Sequence, residues 1–346
     1  MKAFVMAAGV GTRLEPLTLA LPKPMVPLCN LPVMLYNIEL LKKHGIKDIT
    51  ANLHYFPEQI QGYFKDGREF GVELSYSYEE ELLGTAGGVH KMARSSKKPF
   101  STFVVLSSDV LMDIDLKKLI NFHKKKKALA TIALVKVEDP SEYGVVILQK
   151  DARIKAFQEK PKKEEALSLL ANTGVYVFEK EALDLIPEGG FYDFGRQLFP
   201  ALVKENKPFY GFDSTSYWMD IGTIPNYIKA NYDLAGGKVK ARGMTHSRKI
   251  VLGKNSRISE STVLSGTIII GDNCTIRDNC RLNNCIIWPD TVIDRGCSVD
   301  GSIIGSWCYL GENTLVGQGS IIANRCKTRP GVKLPPGSML PPDKTI

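Results

Sequence analysis

The chain has 346 residues, 44% hydrophobic and 24% charged, with a formal net charge of +8, which suits two domains of ordinary globular composition. No run approaches about 18 uninterrupted apolar residues, and the N-terminus lacks the basic, apolar and small-residue segments of an export signal, so neither a membrane span nor secretion is expected and the protein is expected to be cytoplasmic. The basic excess favours an anionic small substrate over nucleic acid, because its densest run, Lys124-Lys125-Lys126-Lys127, falls at an expected helix end with no aromatic residues interleaved. The seven cysteines are expected to be reduced thiols.

The first expected strand, 3–7, runs into the glycine-rich loop Ala7-Ala8-Gly9-Val10-Gly11-Thr12-Arg13, and Lys23 follows in Pro22-Lys23-Pro24. Glycines let the backbone turn tightly and offer N–H groups to an anion, while Arg13 and Lys23 bring charge suited to phosphate oxygens. The spacing fits neither the Walker pattern nor the dinucleotide fingerprint, since Leu14 stands where the third glycine of the latter belongs and no lysine follows Gly11. Gly-x-Gly after a strand would by itself also fit a plain βα turn.

Further strands are expected at 48–53, 73–78 and 103–108, alternating with helices near 33–44, 57–65, 87–93 and 115–126. Such alternation, lasting to about residue 234, predicts an α/β fold: a Rossmann-like, mostly parallel sheet with helices on both faces and ligands at the carboxyl ends of its strands. Asp109 ends the apolar run Phe103-Val104-Val105-Leu106-Ser107-Ser108, and Asp220 follows an aromatic-rich strand in Trp218-Met219-Asp220-Ile221-Gly222. Asp109 in isolation would equally fit a cap on the next helix or turn.

Residues 235–249 lose apolar periodicity and gain glycine and basic residues, as a linker would. Beyond them Leu252, Ile258, Leu264, Ile270, Ile276, Leu282 and Trp288 recur every six residues, and after a slip of one the series continues, with one further slip, through Ile293, Val299, Ile304, Leu310, Val316 and Ile322. A six-residue apolar period predicts a parallel β-helix of roughly four coils over residues 250–346 including a tail. Cys274, Cys280, Cys297, Cys308 and Cys326 each lie four residues after an anchor, which suggests small side chains packed in a tight interior rather than a metal site.

The run GxGTRLxPLTxxxPKPMxP from Gly9 to Pro27 resembles the signature of sugar-phosphate nucleotidyltransferases, and further motifs follow in that family's order: Gly84-Thr85-Ala86-Gly87-Gly88, Tyr143-Gly144-Val145-Val146, Glu159-Lys160-Pro161 and Asn172-Thr173-Gly174. The resemblance implies that a sugar phosphate attacks the α-phosphorus of a nucleoside triphosphate and expels pyrophosphate. It further implies Ala7, Ala8, Gly9, Gly11, Thr12, Arg13, Gly84 and Thr85 for the nucleotide, and Gly144, Glu159, Lys160 and Asn172 for the sugar phosphate. Arg13, Lys23 and Asp109 would be catalytic, with Mg²⁺ as cofactor on Asp109 and Asp220. It makes the β-helix left-handed and gives the α/β part, residues 1–234, the catalytic role; the flat faces and open terminal coil of a β-helix lead to the further expectation of a homo-oligomer assembled through residues 250–330.

Pro27–Pro32, Leu83–Gly87, Ser107–Val110, Val137–Val146 and Trp218–Gly222 resemble the mannose-1-phosphate guanylyltransferase branch, which implies GTP and mannose 1-phosphate. Ala7-Ala8-Gly9 and Glu15 depart from that branch's pattern, and glucose 1-phosphate with a uridylyl, thymidylyl or adenylyl donor is the alternative. Two readings of other classes, an acyltransferase on the β-helix and a non-catalytic sensor of nucleotide sugars, are disfavoured. The repeat carries no histidine to act as base, and the phosphate-binding residues are all in place.

Overall fold

A computed structural model of the chain describes residues 1–241 and 249–346. Part of the expected linker, 242–248, lies outside the described residues, and so does His246. The elements up to residue 235 are β1 (Lys2–Met6), β2 (Pro27–Leu28), β3 (Leu31–Pro32), α1 (Val33–Lys43), β4 (Asp48–Leu53), α2 (Pro57–Phe64), β5 (Glu73–Tyr78), α3 (Gly84–Arg94), β6 (Thr102–Ser107), β7 (Val110–Met112), α4 (Leu116–Lys126), β8 (Ala130–Lys136), β9 (Gly144–Leu148), β10 (Ile154–Glu159), β11 (Leu170–Glu179), α5 (Phe199–Lys204), β12 (Phe209–Asp213), β13 (Trp218–Asp220) and α6 (Ile224–Ala235). By compactness the chain forms two units: Met1–Gly9 with Met34–Asp220, and Val10–Val33 with Ile221–Ile346.

The first unit is built on a nine-stranded sheet in the order β10-β9-β11-β6-β1-β4-β5, with β8 joining β11 to β12. Strands β6, β1, β4 and β5 are parallel. Their apolar runs, such as Ala3-Phe4-Val5 and Phe103-Val104-Val105-Leu106, are buried without alternation, as strands covered on both faces require. The other half departs from the mostly parallel expectation: β11 runs antiparallel to β6, β8 and β9, and β10 antiparallel to β9. A parallel return needs a crossover of a dozen or more residues, usually a helix, whereas the connectors from β8 to β11 are short and hold no α-helix. The sheet is therefore mixed.

Phe103, Phe178, Phe194, Phe199 and Phe209 stack in series beneath it, with ring centroids 5.2–5.6 Å apart. No helix among the described residues is long and apolar enough to cross a membrane.

In the second unit, short strands from β14 (Ile250–Leu252) to β29 (Met339–Leu340) form three parallel sheets of six, five and five strands, the three sides of a β-helix. Leu252, Ile270, Ile287, Ile304, Ile322 and Leu340 pair in register down one side. The coils continue past Ile322 through Thr328, Leu334 and Leu340, so the expected tail is largely coil.

The register also corrects one anchor. Ile287, not Trp288, joins the interior cluster, so the first slip of one residue falls between Leu282 and Ile287. Columns of stacked aliphatic side chains at strand spacing leave no room for an indole. All seven cysteines are buried thiols, and six of them, now including Cys285, pack in the coil interior. Burial pushes Cys274 up to about 11 and Cys285 to about 12, which keeps them protonated.

Candidate active site

Gly11 lies in the left-handed region at φ 78°. A Cβ there would meet the Lys23 Cβ at 3.0 Å and the Thr18 Cγ2 at 3.2 Å, so the backbone conformation and the packing both call for glycine. The Thr18 hydroxyl donates to the Gly11 carbonyl at 2.9 Å. Three single turns follow, Thr12–Leu14, Leu17–Leu19 and Lys23–Met25. Thr12 and Arg13 are exposed, whereas the Lys23 residue is only 8% exposed. All four predicted phosphate-loop residues from Gly11 to Lys23 thus belong to the second compact unit, and the remaining predicted site residues to the first.

In the first unit the nucleotide motifs are tied together by a hydrogen-bond chain across three parallel strand ends. The Ala7 N–H donates to Asn52 Oδ1 at 2.7 Å, Asn52 Nδ2 donates to Glu79 Oε1 at 2.7 Å, and Glu79 Oε2 accepts the Leu83 N–H at 3.0 Å. Glu79 is 1% exposed, and a buried carboxylate is tolerated only with donors such as these. The chain runs from Ala7 to the residue before Gly84. Helix α3 begins at Gly84 rather than near 87, which places Gly84 and Thr85 in its first turn. Thr85 Oγ1 donates to Asp193 Oδ2 at 2.8 Å and accepts the Phe194 N–H at 2.9 Å.

Asp109 lies in the tight turn between β6 and β7, and β13 pairs antiparallel with β7 so that Asp220 stands opposite Val110. One strand pair therefore brings the two predicted carboxylates to neighbouring positions at the carboxyl end of β6. Mg²⁺ typically takes one or two carboxylates and completes its shell with phosphate and water oxygens, so this donor set fits that ion. No three His, Cys, Asp or Glu among the described residues form a metal-binding group, so this is not an all-protein cage.

The sugar motifs converge on the β9–β10–β11 side. Glu159 pairs with Gly144 across the β10–β9 ladder. A Cβ on Gly144 would meet the Phe157 ring at 2.5 Å and Glu159 Oε2 at 2.9 Å, so the absent side chain is what makes room for the carboxylate. The Glu159 carboxyl is held above the ordinary glutamate range, first by burial and then by Asp193, with Lys160 and Arg196 pulling the other way. Lys160 itself has φ 46°, an uncommon conformation for a side-chain-bearing residue, and its N–H donates to the Tyr143 carbonyl at 3.2 Å.

The register of β11 on β8 shifts between Asn172, opposite Leu134, and Tyr176, opposite Ile132, a bulge that interrupts the strand at this motif. Asn172 Nδ2 donates to the Tyr176 hydroxyl at 3.0 Å, and its Oδ1 accepts the Gly174 N–H at 3.0 Å. Trp218, two residues before Asp220, donates its indole N–H to the Thr173 carbonyl at 2.9 Å and meets the Tyr143 ring edge-on at 5.1 Å. The Tyr176 phenol is pushed up chiefly by burial, and Asp193, Glu159 and Asp109 all add to the shift, so Glu159 and Asp109, predicted for the sugar and for the metal, both act on this one phenol.

Sequence reasoning missed Asn52, Glu79, Asp193 and Tyr176. The first two sit at the carboxyl ends of β4 and β5, where the rule for parallel sheets could have found them.

Residues 2–236 match the family model described as nucleotidyl transferase, and 231–334 that described as EIF2B subunit epsilon LbH domain. The chain belongs to the nucleotidyl transferase family, and its repeat is a left-handed β-helix. It is 37% identical to a UTP–glucose-1-phosphate uridylyltransferase of Synechocystis sp., over 96% of this chain and 90% of that one. It is 33% identical to a mannose-1-phosphate guanylyltransferase of Mycobacterium tuberculosis, over 86% of this chain and 82% of that one. Among solved structures, HddC from Yersinia pseudotuberculosis complexed with GMP-PN superposes with a TM-score of 0.56 at 25% identity, covering 66% of this chain and 97% of that one. The chemistry is sugar-1-phosphate nucleotidyl transfer.

Proposed function

We propose that this chain transfers the nucleotidyl group of GTP to mannose 1-phosphate, giving GDP-mannose and pyrophosphate. The observation that carries the mechanism is the register of β13 on β7, which sets Asp220 beside Asp109 at a strand end. The mycobacterial relative's name, the branch-like motifs and the GMP-PN complex of the Yersinia neighbour support the choice of GTP and mannose.

In this reading the backbone of Gly9, Gly11 and Thr12 and the side chain of Arg13 bind the triphosphate, and Ala7, Ala8, Gly84 and Thr85 meet the nucleoside. Lys160 anchors the sugar phosphate, while Gly144, Glu159 and Asn172 receive the sugar, the last two through its hydroxyls. A phosphate oxygen of the sugar phosphate attacks the α-phosphorus in line, the bond to the bridging oxygen breaks, and pyrophosphate leaves with that electron pair. Lys23 and Arg13 stabilise the negative charge that builds in the transition state. Mg²⁺ on Asp109 and Asp220 would neutralise triphosphate charge when bound. No protein nucleophile takes part.

The same reading keeps residues 1–234 as the catalytic domain, 235–249 as a linker and the β-helix from 250 as the surface for homo-oligomer assembly, in a cytoplasmic enzyme whose thiols stay reduced. A second reading, UTP with glucose 1-phosphate, is favoured by the Synechocystis relative. Pyrophosphate release over four nucleoside triphosphates against mannose, glucose, galactose and N-acetylglucosamine 1-phosphates separates the two. GTP with mannose 1-phosphate is expected to give the highest kcat/KM, and a preference for UTP with glucose 1-phosphate would replace it.

A further inference from the structure

The slip that displaces Trp288 from the coil interior gives the residue another role. Trp288 is 2% exposed, and its indole N–H donates to the Tyr227 hydroxyl of α6 at 2.9 Å. That hydroxyl donates in turn to the Pro27 carbonyl at 2.8 Å. Pro27 opens the β2–β3 hairpin, separated by one residue from the turn Lys23–Met25. Both donor protons are spent in one direction, from the β-helix through a fully buried tyrosine to the segment that carries Lys23.

The hairpin is fastened to the same platform at other points. The Cys29 N–H donates to Asn231 Oδ1 of α6 at 2.9 Å, and Asn30 Nδ2 donates to the Ile270 carbonyl of the β-helix at 2.7 Å. Helix α6 is itself held by the Tyr232 hydroxyl on the Asn284 carbonyl at 2.7 Å. Cys29 and Asn30 both have positive φ, 43° and 72°, so the hairpin tip is a tight turn whose aim is set by these anchors. Nothing in a six-residue repeat requires an indole donor or a carbonyl lent to an asparagine outside the coil. These contacts are surplus to the β-helix: one goes straight to the hairpin at Asn30, and the others go to α6, which carries the Tyr227 and Asn231 bonds to the hairpin.

We propose that Trp288 is a positioning residue for nucleotidyl transfer: through the Tyr227 hydroxyl and the Pro27 carbonyl it fixes the register of the turn that carries Lys23. The proposal rests on the reading of Lys23 as the group that stabilises charge at the reacting phosphates. On this account the β-helix aims the phosphate loop as well as offering a surface for assembly. A misaimed cation costs transition-state stabilisation and leaves ground-state binding nearly intact, so the loss falls on kcat rather than on KM.

The test is a mutant cycle in the full chain, with pyrophosphate release measured on the best substrate pair and normalised to folded protein. Trp288→Phe keeps an aromatic ring and removes the donor, and about a tenfold fall in kcat is expected with both KM values within about twofold. Tyr227→Phe removes both bonds and is expected to match it, and it serves if Trp288→Phe folds poorly.

On a Lys23→Ala background Trp288→Phe is expected to cost nothing further, whereas on an Arg13→Ala background it costs its full tenfold. Tyr309→Phe, which breaks a hydrogen bond to Asp294 elsewhere on the β-helix, is expected to leave kcat unchanged. If Trp288→Phe and Tyr227→Phe leave kcat intact, or if the loss is as large without Lys23 as with it, the proposal is overturned. If Lys23→Ala itself leaves kcat untouched, the reading of Lys23 fails first.

Discussion

The parallel half of the first unit's sheet and the β-helix of the second are both built on strands rich in branched aliphatic residues, yet they treat the strand end in opposite ways. In the parallel strands of the sheet the apolar run gives way at the carboxyl end to a small or polar residue: Ala7 after β1, Asn52 in β4, Glu79 after β5, Asp109 after β6. Hydrogen bonds then join the first three of these positions in one chain. In the β-helix the ends are corners, closed by the same few residue types coil after coil, and the interior column repeats with them. Chemistry gathers where periodicity fails, and near its own first irregularity, the slip that turns Trp288 away from the interior, the β-helix reaches Tyr227 of α6 and through it the Pro27 carbonyl.

The widest separation between the two regions is expected from one substitution in each. Asp109→Asn should lower kcat by about a hundredfold to a thousandfold, on the order of 3–4 kcal/mol of transition-state stabilisation, with the thermal midpoint nearly unchanged. Ile304→Ala, at a fully buried position of the coil interior, should do the reverse, destabilising the β-helix by about 2–5 kcal/mol while the folded fraction keeps its kcat. Calorimetry beside pyrophosphate release reads both, and a loss of turnover per folded molecule in Ile304→Ala would erase the contrast.

A smaller effect sharpens the sheet's side. Gly144→Ala would drive a methyl into Phe157 and the Glu159 carboxylate. It should raise KM for the sugar phosphate roughly tenfold, in line with overpacking costs of about 1–3 kcal/mol, and leave KM for the nucleotide alone. Equal changes in the two constants would remove Glu159 from the sugar site.

The smallest effect concerns pH. His123 is fully buried between the Thr131 hydroxyl and Glu179, and burial holds its pKa below 6.5 despite the pull of Glu179. The unfolded chain therefore takes up the proton more readily. His123's share of stability is intact above pH 6.5 and is lost as pH falls from there toward the lower folded value. Thermal midpoints across that window should drop in the native chain and drop less in His123→Gln. No such term is expected from the β-helix, whose described residues hold no histidine.

What the sequence made legible follows the same division. The six-residue period announces the β-helix because every coil solves one packing problem with the same residues, and even the small interior positions of the cysteines can be read from spacing. Trp288 was misplaced because an apolar period cannot tell an indole at the anchor from one beside it; only interior width decides, and the column accepts Ile287. In the sheet the motif residues could be named, since Asp109, Glu159 and Lys160 stand in runs with recognisable order. Their supports could not. Asn52 and Glu79 are ordinary polar residues until the parallel register sets their strands side by side. The antiparallel return of β11 was hidden because strand direction depends on connector length and partner choice more than on the strand's own composition.

The central claim is a single direct displacement between two bound anions, without a nucleotide ever attached to the protein. The stereochemical course of transfer from a chiral α-thio analogue of the preferred nucleoside triphosphate tests it most directly. Inversion at the α-phosphorus is the predicted result, and retention, which requires two successive displacements through a covalent intermediate, would contradict it.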